Sequence, residues 1–299
     1  MTTKRKPCIG LALGGGSARG WAHVGVIRAL EEAGIRPDLV CGTSVGAMVG
    51  AAYAAGELDR FEQWLLDMSL RDVFSFMDVS LNGGMLKGDR LMEFFRTTFV
   101  DHPIEGLKMP FAAVATSLQT GAEVWLREGS TVDAVRASIA LPLLFTPVQR
   151  DGVFLVDGGL VNPVPVSLAR AMGADFVIAV DLSADIVGHR LHEVEPEAAP
   201  QQQSGGWLGW VQDRLGMPRK NGEPVQTRLP SVLEVMSSSI NIMQVRITRS
   251  RMAGEPPDVT ISPRLAHFGL FDFHRAQEAI AAGRLSVEAS RHGLQLMEG

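Results

Sequence analysis

The chain has little of what disulfide-bonded or nucleic-acid-binding proteins need. Its 299 residues include only two cysteines, Cys8 and Cys41, and both lie in or beside apolar runs typical of strands. Reduced, buried thiols are therefore favoured over a disulfide framework, which suits a reducing cytoplasm. The 33 acidic and 28 basic residues give a formal net charge of -5. This balance excludes a broad basic field for holding nucleic acid or anionic lipid.

Long apolar runs are also absent, and no stretch approaches the length of a membrane-spanning helix. The basic start, MTTKRK, leads into an apolar run that the glycines at 14–16 interrupt and that has no small-residue cleavage site. It therefore predicts a first strand and not a secretory signal. We expect a cytoplasmic protein in which any membrane contact is local and peripheral, at the inner face of the membrane.

Short apolar runs alternate with helical patterns along most of the chain. The runs predict strands at 9–13, 39–41, 111–116, 153–159, 176–180 and 258–262, and a hairpin arm at 118–126 around Thr120-Gly121. Helical spacing or composition covers 21–30, 47–55, 59–69, 89–99, 130–139, 164–172, 231–251 and 272–283. This alternation predicts an α/β fold, a three-layer α/β/α sandwich with a mostly parallel central sheet. Ligands of such sheets bind at the carboxyl ends of the strands.

The composition predicts a single domain with an insertion. The core motifs lie within 9–181, and the composition then shifts to Glu, Pro, Gln, Gly and Ser over 185–230, which predicts a flexible insertion or lid. Residues 231–299 would add the helices and strand that complete the core. We find no internal repeat.

One segment of the insertion, GWLGWVQDRL at 206–215, could form a short amphipathic helix with two tryptophans on its apolar side. Because tryptophan favours the lipid headgroup region, we expect a lid or a peripheral membrane contact here. A helix that folds onto the protein's own surface, or that joins two copies of the chain, would have the same pattern.

A serine lies between two glycines where the second predicted strand meets an Ala-rich helix, in Gly42-Thr43-Ser44-Val45-Gly46. This is the pattern of a nucleophile elbow, in which glycines flank a serine at a strained backbone angle. In a chain with 32 glycines the pattern also arises by chance, so its context has to support it.

That context begins with a glycine loop, GGGSARG at 14–20, which follows the first strand and opens a helix. Its backbone N–H groups could converge on an anion, either a dinucleotide pyrophosphate or the oxyanion of an ester under attack. A dinucleotide site needs an acidic residue at the end of the second strand. That strand ends in Val40-Cys41-Gly42 and leads to Ser44, so an oxyanion hole is favoured over a dinucleotide site or a purely structural turn.

GGGSARG at 14–20, GTSVGA at 42–47 and VDGGLVNPVPV at 156–166 resemble, in order and spacing, the patatin-like phospholipases. SIALPLLFTPV at 138–148 and PDVTISP at 257–263 are also similar to that family. The chain most resembles its compact bacterial members and the catalytic domain of neuropathy target esterase. It departs from many members at Ser17, where they have glycine, although the backbone N–H is retained.

The resemblance implies a patatin-like fold and a serine acyl hydrolase that cleaves phospholipid or lysophospholipid esters through an acyl-enzyme, without metal or cofactor. It also implies a Ser–Asp dyad, with Ser44 as the nucleophile and Asp157 as its base. Apolar residues precede Asp157, and burial would raise its pKa. The predicted oxyanion donors are Gly15, Gly16, Ser17 and Val45, and the supporting residues are Gly14, Arg19, Gly20, Gly42, Gly46, Gly158 and Gly159. Arg19 would orient a lipid phosphate, brace the loop or form a structural salt bridge.

Two alternatives stay open. An ordinary α/β-hydrolase triad would need a histidine after the acid, and His267, His274 and His292 lie downstream. His23 is expected to pack on the first helix. A protein of another class, a regulatory or interaction protein that keeps the hydrolase fold, would act by binding a partner. Head-group preference and oligomeric state do not follow from the sequence.

Overall fold

The computed structural model describes residues 6–76, 86–100, 102–142, 144–185 and 232–295. Its strands are β1 Ile9–Leu13, β2 Leu39–Thr43, β3 Phe111–Ser117, β4 Glu123–Leu126, β5 Val148–Arg150, β6 Val153–Asp157, β7 Phe176–Val180 and β8 Val259–Ile261. Its α-helices are α1 Ala22–Glu32, α2 Val45–Ala55, α3 Leu58–Asp67, α4 Leu70–Ser75, α5 Asp89–Thr98, α6 Thr131–Ser138, α7 Val166–Ala171, α8 Val232–Gly254, α9 Ala276–Ala289 and α10 Arg291–Gln295. The predicted insertion and its 206–215 segment lie outside the described residues, apart from residue 185.

Within these residues the strands form one mixed sheet in the order β5-β6-β3-β2-β1-β7-β8, with β4 paired to β3 outside this path. The central strands β3, β2, β1, β7 and β8 run parallel, and β4, β5 and β6 are antiparallel to their neighbours. Helices cover both faces, so the predicted three-layer α/β/α sandwich with a mostly parallel sheet is confirmed.

Burial on both faces explains why the central strands are continuous apolar runs. Ile9, Leu11 and Leu13 of β1 belong to the larger core, with α1, α2, α3, α5 and α9. Ala12 faces the opposite side, where the smaller core contains residues of α7. Every residue of β1, β2 and β3 is buried.

The sheet brings the ends of two strands together on one edge of β3. Strands β2 and β4 both pair with Ala113 and Val114, and β4 and β6 both pair with Ala115 and Thr116. Because a strand has two edges, β2 and β6 share the edge opposite β4. Strand β2 ends with Thr43 opposite Val114, and β6 arrives from the other direction with Asp157 opposite Ala115.

Several elements differ from the sequence predictions: helices α4 and α10 were not predicted, and α9 extends to Ala289. Strand β5 was not predicted, because its three residues are half-buried or exposed and have no apolar run. The helix predicted over 272–283 begins later, at Ala276, because Asp272 instead accepts hydrogen bonds from the N–H of Gly269 and the side chain of Arg275. None of the helices in the described ranges is long and apolar enough to cross a membrane.

Candidate active site

Ser44 occupies the junction between β2 and α2 with a backbone that few non-glycine residues adopt, at φ 56° and ψ -127°. The flanking glycines make this junction sterically possible. A Cβ on Gly42 would collide with the backbone of Gly46, and a Cβ on Gly46 would lie 2.6 Å from the carbonyl oxygen of Gly14. The geometry is that of a nucleophile elbow.

The hydroxyl of Ser44 donates a hydrogen bond to Oδ2 of Asp157, with 2.6 Å between the two oxygens. Asp157 is the last residue of β6 and is only 1 % exposed. Its other oxygen accepts the N–H of Gly159 at 2.7 Å, and its own N–H donates to the carbonyl oxygen of Ala140 at 2.9 Å. Hydrogen bonds to its carboxylate and to its backbone N–H thus fix the position of Asp157.

Burial raises the pKa of Asp157 to about 6, because desolvation disfavours the charged form. The hydrogen bonds from Ser44 and from the N–H of Gly159 act in the opposite direction and limit the rise. A carboxylate with this pKa is a stronger base than an exposed aspartate and is still ionised at neutral pH. It is therefore suited to accept a proton from a serine hydroxyl.

The glycine loop leads from β1 towards Ser44. Gly14 donates its N–H to the carbonyl oxygen of Val180 at 3.0 Å, and Gly15 donates to that of Pro163 at 2.9 Å. The prediction that Gly15 is an oxyanion donor therefore needs correction, because its N–H already has a partner and holds the loop to the sheet. In the part of the chain that the structure describes, the N–H groups of Gly16, Ser17 and Val45 have no such partner.

Ser17 and Arg19 fix the loop through their side chains. Ser17 has a φ of 51°, a left-handed value that explains why glycine suits this position, and its hydroxyl donates to the carbonyl oxygen of Leu270 at 2.6 Å. The buried guanidinium of Arg19 donates to the carbonyl oxygen of Gly16 at 3.1 Å and to Oδ1 of Asn241 at 3.2 Å. Of the roles predicted for Arg19, these contacts support bracing of the loop.

No histidine in the described ranges hydrogen-bonds to Ser44 or Asp157. His23 packs on α1, as predicted, with Nε2 2.7 Å from the carbonyl oxygen of Gly14. Burial lowers its pKa to about 4, so it is neutral at physiological pH. His267 pairs with Glu278 at the surface, and His274 and His292 are exposed. The triad alternative has no geometric support.

A largely apolar pocket opens at Ser44 and Asp157. Among the described residues, its polar side chains are those of Ser17, Arg19, Ser44, Asp157, Asn241 and Gln244. The apolar part of the lining comes from several elements and comprises Trp21, Val45, Met48, Trp64, Met68, Val73, Phe76, Leu86, Leu91, Ile139, Leu141, Pro142, Leu144, Phe145, Ile240, Leu270, Phe271 and Phe273. Such a surface is suited to a hydrocarbon chain.

Sequence reasoning missed three residues that the fold brings to this site. Asn241 and Gln244 come from α8, and nothing in their helical pattern points to a site. Ser138 accepts the N–H of Ser44 on its hydroxyl oxygen at 2.8 Å. Ser138 lies in the segment 138–148 that is similar to the patatin-like phospholipases, but the sequence of that segment does not indicate a role for Ser138.

The sequence model of the family described as "Patatin-like phospholipase" matches residues 11–170. The match covers more than half of the chain and includes the elbow, the glycine loop and Asp157. The protein therefore belongs to the patatin-like phospholipase family, and this membership supports a lipid hydrolase.

Its relatives include an uncharacterized NTE family protein of Mycobacterium tuberculosis, which is 33% identical over 93% of this chain and 89% of that protein. The human patatin-like phospholipase domain-containing protein 6 is 34% identical over 77% of this chain, which spans only 18% of that protein. Among solved structures, VipD from Legionella pneumophila aligns over 92% of this chain and 75% of its own, with 14% identity and a TM-score of 0.37.

Proposed function

We propose that this protein is a serine acyl hydrolase that cleaves carboxyl esters of phospholipids or lysophospholipids. The observation that carries the proposal is the 2.6 Å hydrogen bond from the hydroxyl of Ser44 to the buried carboxylate of Asp157, at the mouth of an apolar pocket. Family membership supports the lipid substrate.

In the first half of the reaction, Oγ of Ser44 attacks the carbonyl carbon of the ester while Asp157 accepts the hydroxyl proton. The carbonyl oxygen becomes an oxyanion, to which the N–H groups of Gly16, Ser17 and Val45 can donate. The positive end of α2 also faces this charge. The intermediate then expels the alcohol, whose oxygen takes the proton from Asp157, and leaves an ester between Ser44 and the acyl group.

In the second half, a water molecule donates a proton to Asp157 and attacks the acyl-enzyme carbonyl. The bond from the carbonyl carbon to Oγ of Ser44 breaks, the proton returns to that oxygen, and a fatty acid leaves. The same oxyanion donors serve both halves. No step requires a metal or a cofactor.

The pocket supports placing the acyl chain among the aromatic and aliphatic residues beyond Ser44. Trp64, Phe76 and Phe145 form part of this wall. Arg19, Asn241 and Gln244 add polar groups near the reacting atoms, where the alcohol portion of a lipid has to leave. An ester with a long acyl chain should therefore bind more tightly than its short-chain analogue.

A fluorophosphonate probe tests the proposal directly, because it labels activated serines. The probe should label the wild-type protein, which should also hydrolyse lysophospholipid, whereas Ser44→Ala should be neither labelled nor active. Asp157→Asn should lose roughly 100-fold or more in activity through loss of the base. His267→Ala, which changes an exposed histidine, is the matched control and should keep wild-type activity.

An unlabelled, inactive wild type would reject the hydrolase and leave the alternative of a fold retained for binding. A large loss of hydrolytic activity in His267→Ala, together with an active Asp157→Asn, would reject the Ser44–Asp157 dyad.

Peripheral membrane contact through 206–215, from a cytoplasmic location, belongs to the same proposal. Its support is the two tryptophans in the sequence, since the segment lies outside the described residues. Deletion of 204–218 should reduce sedimentation with liposomes while hydrolysis of a soluble short-chain ester continues. Unchanged liposome binding would disprove the contact.

A further inference from the structure

We propose that Ser138 is a positioning residue for the nucleophile: its hydroxyl holds the strained backbone of Ser44 and so sets the position of the attacking oxygen. This inference rests on the proposed function. It concerns a residue that touches neither the substrate nor the reacting atoms.

The N–H of Ser44 needs a partner from outside its own elements. Strand β2 ends at Thr43 and α2 begins at Val45, so neither the ladder nor the helix supplies one. On β3 the next position after Val114 is Ala115, and Asp157 of β6 already pairs with it. The hydroxyl oxygen of Ser138 fills this gap by accepting the N–H at 2.8 Å.

The hydroxyl of Ser138 donates one hydrogen bond and accepts another, and its surroundings decide which partner is which. It lies 2.6 Å from the carbonyl oxygen of Val114, which can only accept, so the Ser138 proton points there. The lone pairs of Oγ are then free for the N–H of Ser44. Since Val114 pairs with Thr43, the hydroxyl ties the elbow to the strand beside it.

The end of α6 also holds Asp157, the proposed base. Ser138 is the last residue of α6, and two residues later the carbonyl oxygen of Ala140 accepts the N–H of Asp157 at 2.9 Å. The end of α6 therefore contacts Ser44 through a side chain and Asp157 through the backbone, and so fixes the two residues relative to each other.

The direction of this hydrogen bond distinguishes Ser138 from an ordinary helical serine. A serine hydroxyl in a helix commonly bonds to a carbonyl of its own helix. Ser286 on α9 does so, with 2.6 Å to the carbonyl oxygen of Gly283. Both serines are buried, but Ser138 directs its hydroxyl to another element and accepts the N–H of the nucleophile. Ser286 is thus a matched control.

The test compares Ser138→Ala with Ser286→Ala in the full chain, using a soluble short-chain ester. We expect kcat of Ser138→Ala to fall about 10- to 100-fold through misplacement of the nucleophile, with KM within about twofold of wild type. Labelling by the fluorophosphonate probe should slow in parallel. Ser286→Ala should keep the wild-type kcat. A folded Ser138→Ala with a kcat within about twofold of wild type would overturn the proposal.

Hydrogen exchange at the Ser44 amide gives a readout that does not depend on catalysis. The proposal requires slow exchange in wild type and in Ser286→Ala, and faster exchange in Ser138→Ala. Rapid exchange at Ser44 in wild type would reject it even if Ser138→Ala does not fold. An inactive wild type with a protected Ser44 amide would instead reject the hydrolase and leave the backbone contact standing.

Discussion

Burial of Asp157 disfavours its ionised form, and under the proposed mechanism this affects the pH dependence of hydrolysis. Its pKa is raised to about 6 by burial, and only the ionised form can accept the Ser44 proton. We therefore expect kcat/KM to rise with pH along an acid limb near pH 6 and to level above it, measured with a soluble ester in buffers of constant ionic strength.

The control for this profile is His267→Ala, which removes an exposed histidine that bonds to Glu278 and not to Ser44 or Asp157. The acid limb should stay in place in that variant. His23, whose pKa is lowered to about 4, cannot produce a limb near 6. A limb that disappears with His267 would contradict the assignment to Asp157.

The same carboxyl group should make the protein less stable as it ionises. Between pH 4 and 6 the folded protein keeps the Asp157 proton while the unfolded chain, with a pKa near 3.8, has lost it. Stability therefore falls as pH rises through this window, and the loss is complete above about pH 6.

Asp157→Asn removes that ionisation and should raise the free energy of unfolding at pH 8 by up to about 3 kcal/mol, the energy equivalent of the pKa shift. The gain should shrink towards pH 4. Urea unfolding at both pH values measures it, and a variant less stable than wild type at pH 8 would show that the ionised carboxylate contributes net stabilisation.

At the scale of elements, α2 can follow β2 only because Gly46 has no side chain. A Cβ there would press on the backbone oxygens of Leu13 and Gly14, so Gly46→Ala should reduce the free energy of unfolding by about 1–3 kcal/mol and impair activity. Gly50→Ala on the same helix is the control. Its added Cβ would lie 3.3 Å from the ring of Phe111, a contact that a small side-chain shift relieves.

Urea unfolding and ester hydrolysis of the two variants measure this difference. Equal stability of Gly46→Ala and Gly50→Ala would mean that the elbow can relax and that the close approach is not required.

Elements whose pattern is local could be predicted from the sequence. Runs such as IGLAL at 9–13 and FVIAV at 176–180 are buried on both faces, so their composition alone indicates strands. The direction of β6 could not be predicted, because it depends on pairing with β3, some 40 residues away in the chain. One contact of this pairing is the hydrogen bond that the hydroxyl of Thr116 donates to the carbonyl oxygen of Asp157. The three-residue β5 has no pattern to detect.

At the scale of the whole molecule, the residues after 231 complete the site although the family match ends at 170. Helix α8 supplies Asn241 and Gln244, and the segment before α9 supplies Leu270 and Phe273 to the pocket. Leu270 also holds the glycine loop through Ser17. The site therefore depends on correct packing of the C-terminal part.

That packing rests on a close crossing of α1 and α9. A Cβ on Gly283 would collide with the carbonyl oxygen of Ala22, and one on Gly25 with that of Ile280. Gly283→Ala should therefore lower the free energy of unfolding by about 1–3 kcal/mol. Gly254→Ala, with no atom within 4 Å of its added Cβ, should change it by less than about 0.5 kcal/mol. Denaturant unfolding checks both, and a neutral Gly283→Ala would mean that the two helices can separate without loss.

The sequence by itself determined most of the sheet strands, the elbow at Ser44 and the glycine loop, because each depends on burial or backbone freedom within a few neighbouring residues. Resemblance to a family added Asp157 as the partner. Only the tertiary structure decided that β6 runs antiparallel so that Asp157 meets a serine 113 residues away. It also decided that Gly15 bonds to Pro163 and that Ser138 holds the Ser44 amide. These contacts join distant segments, and hydrogen bonds between distant segments leave no periodicity in the sequence.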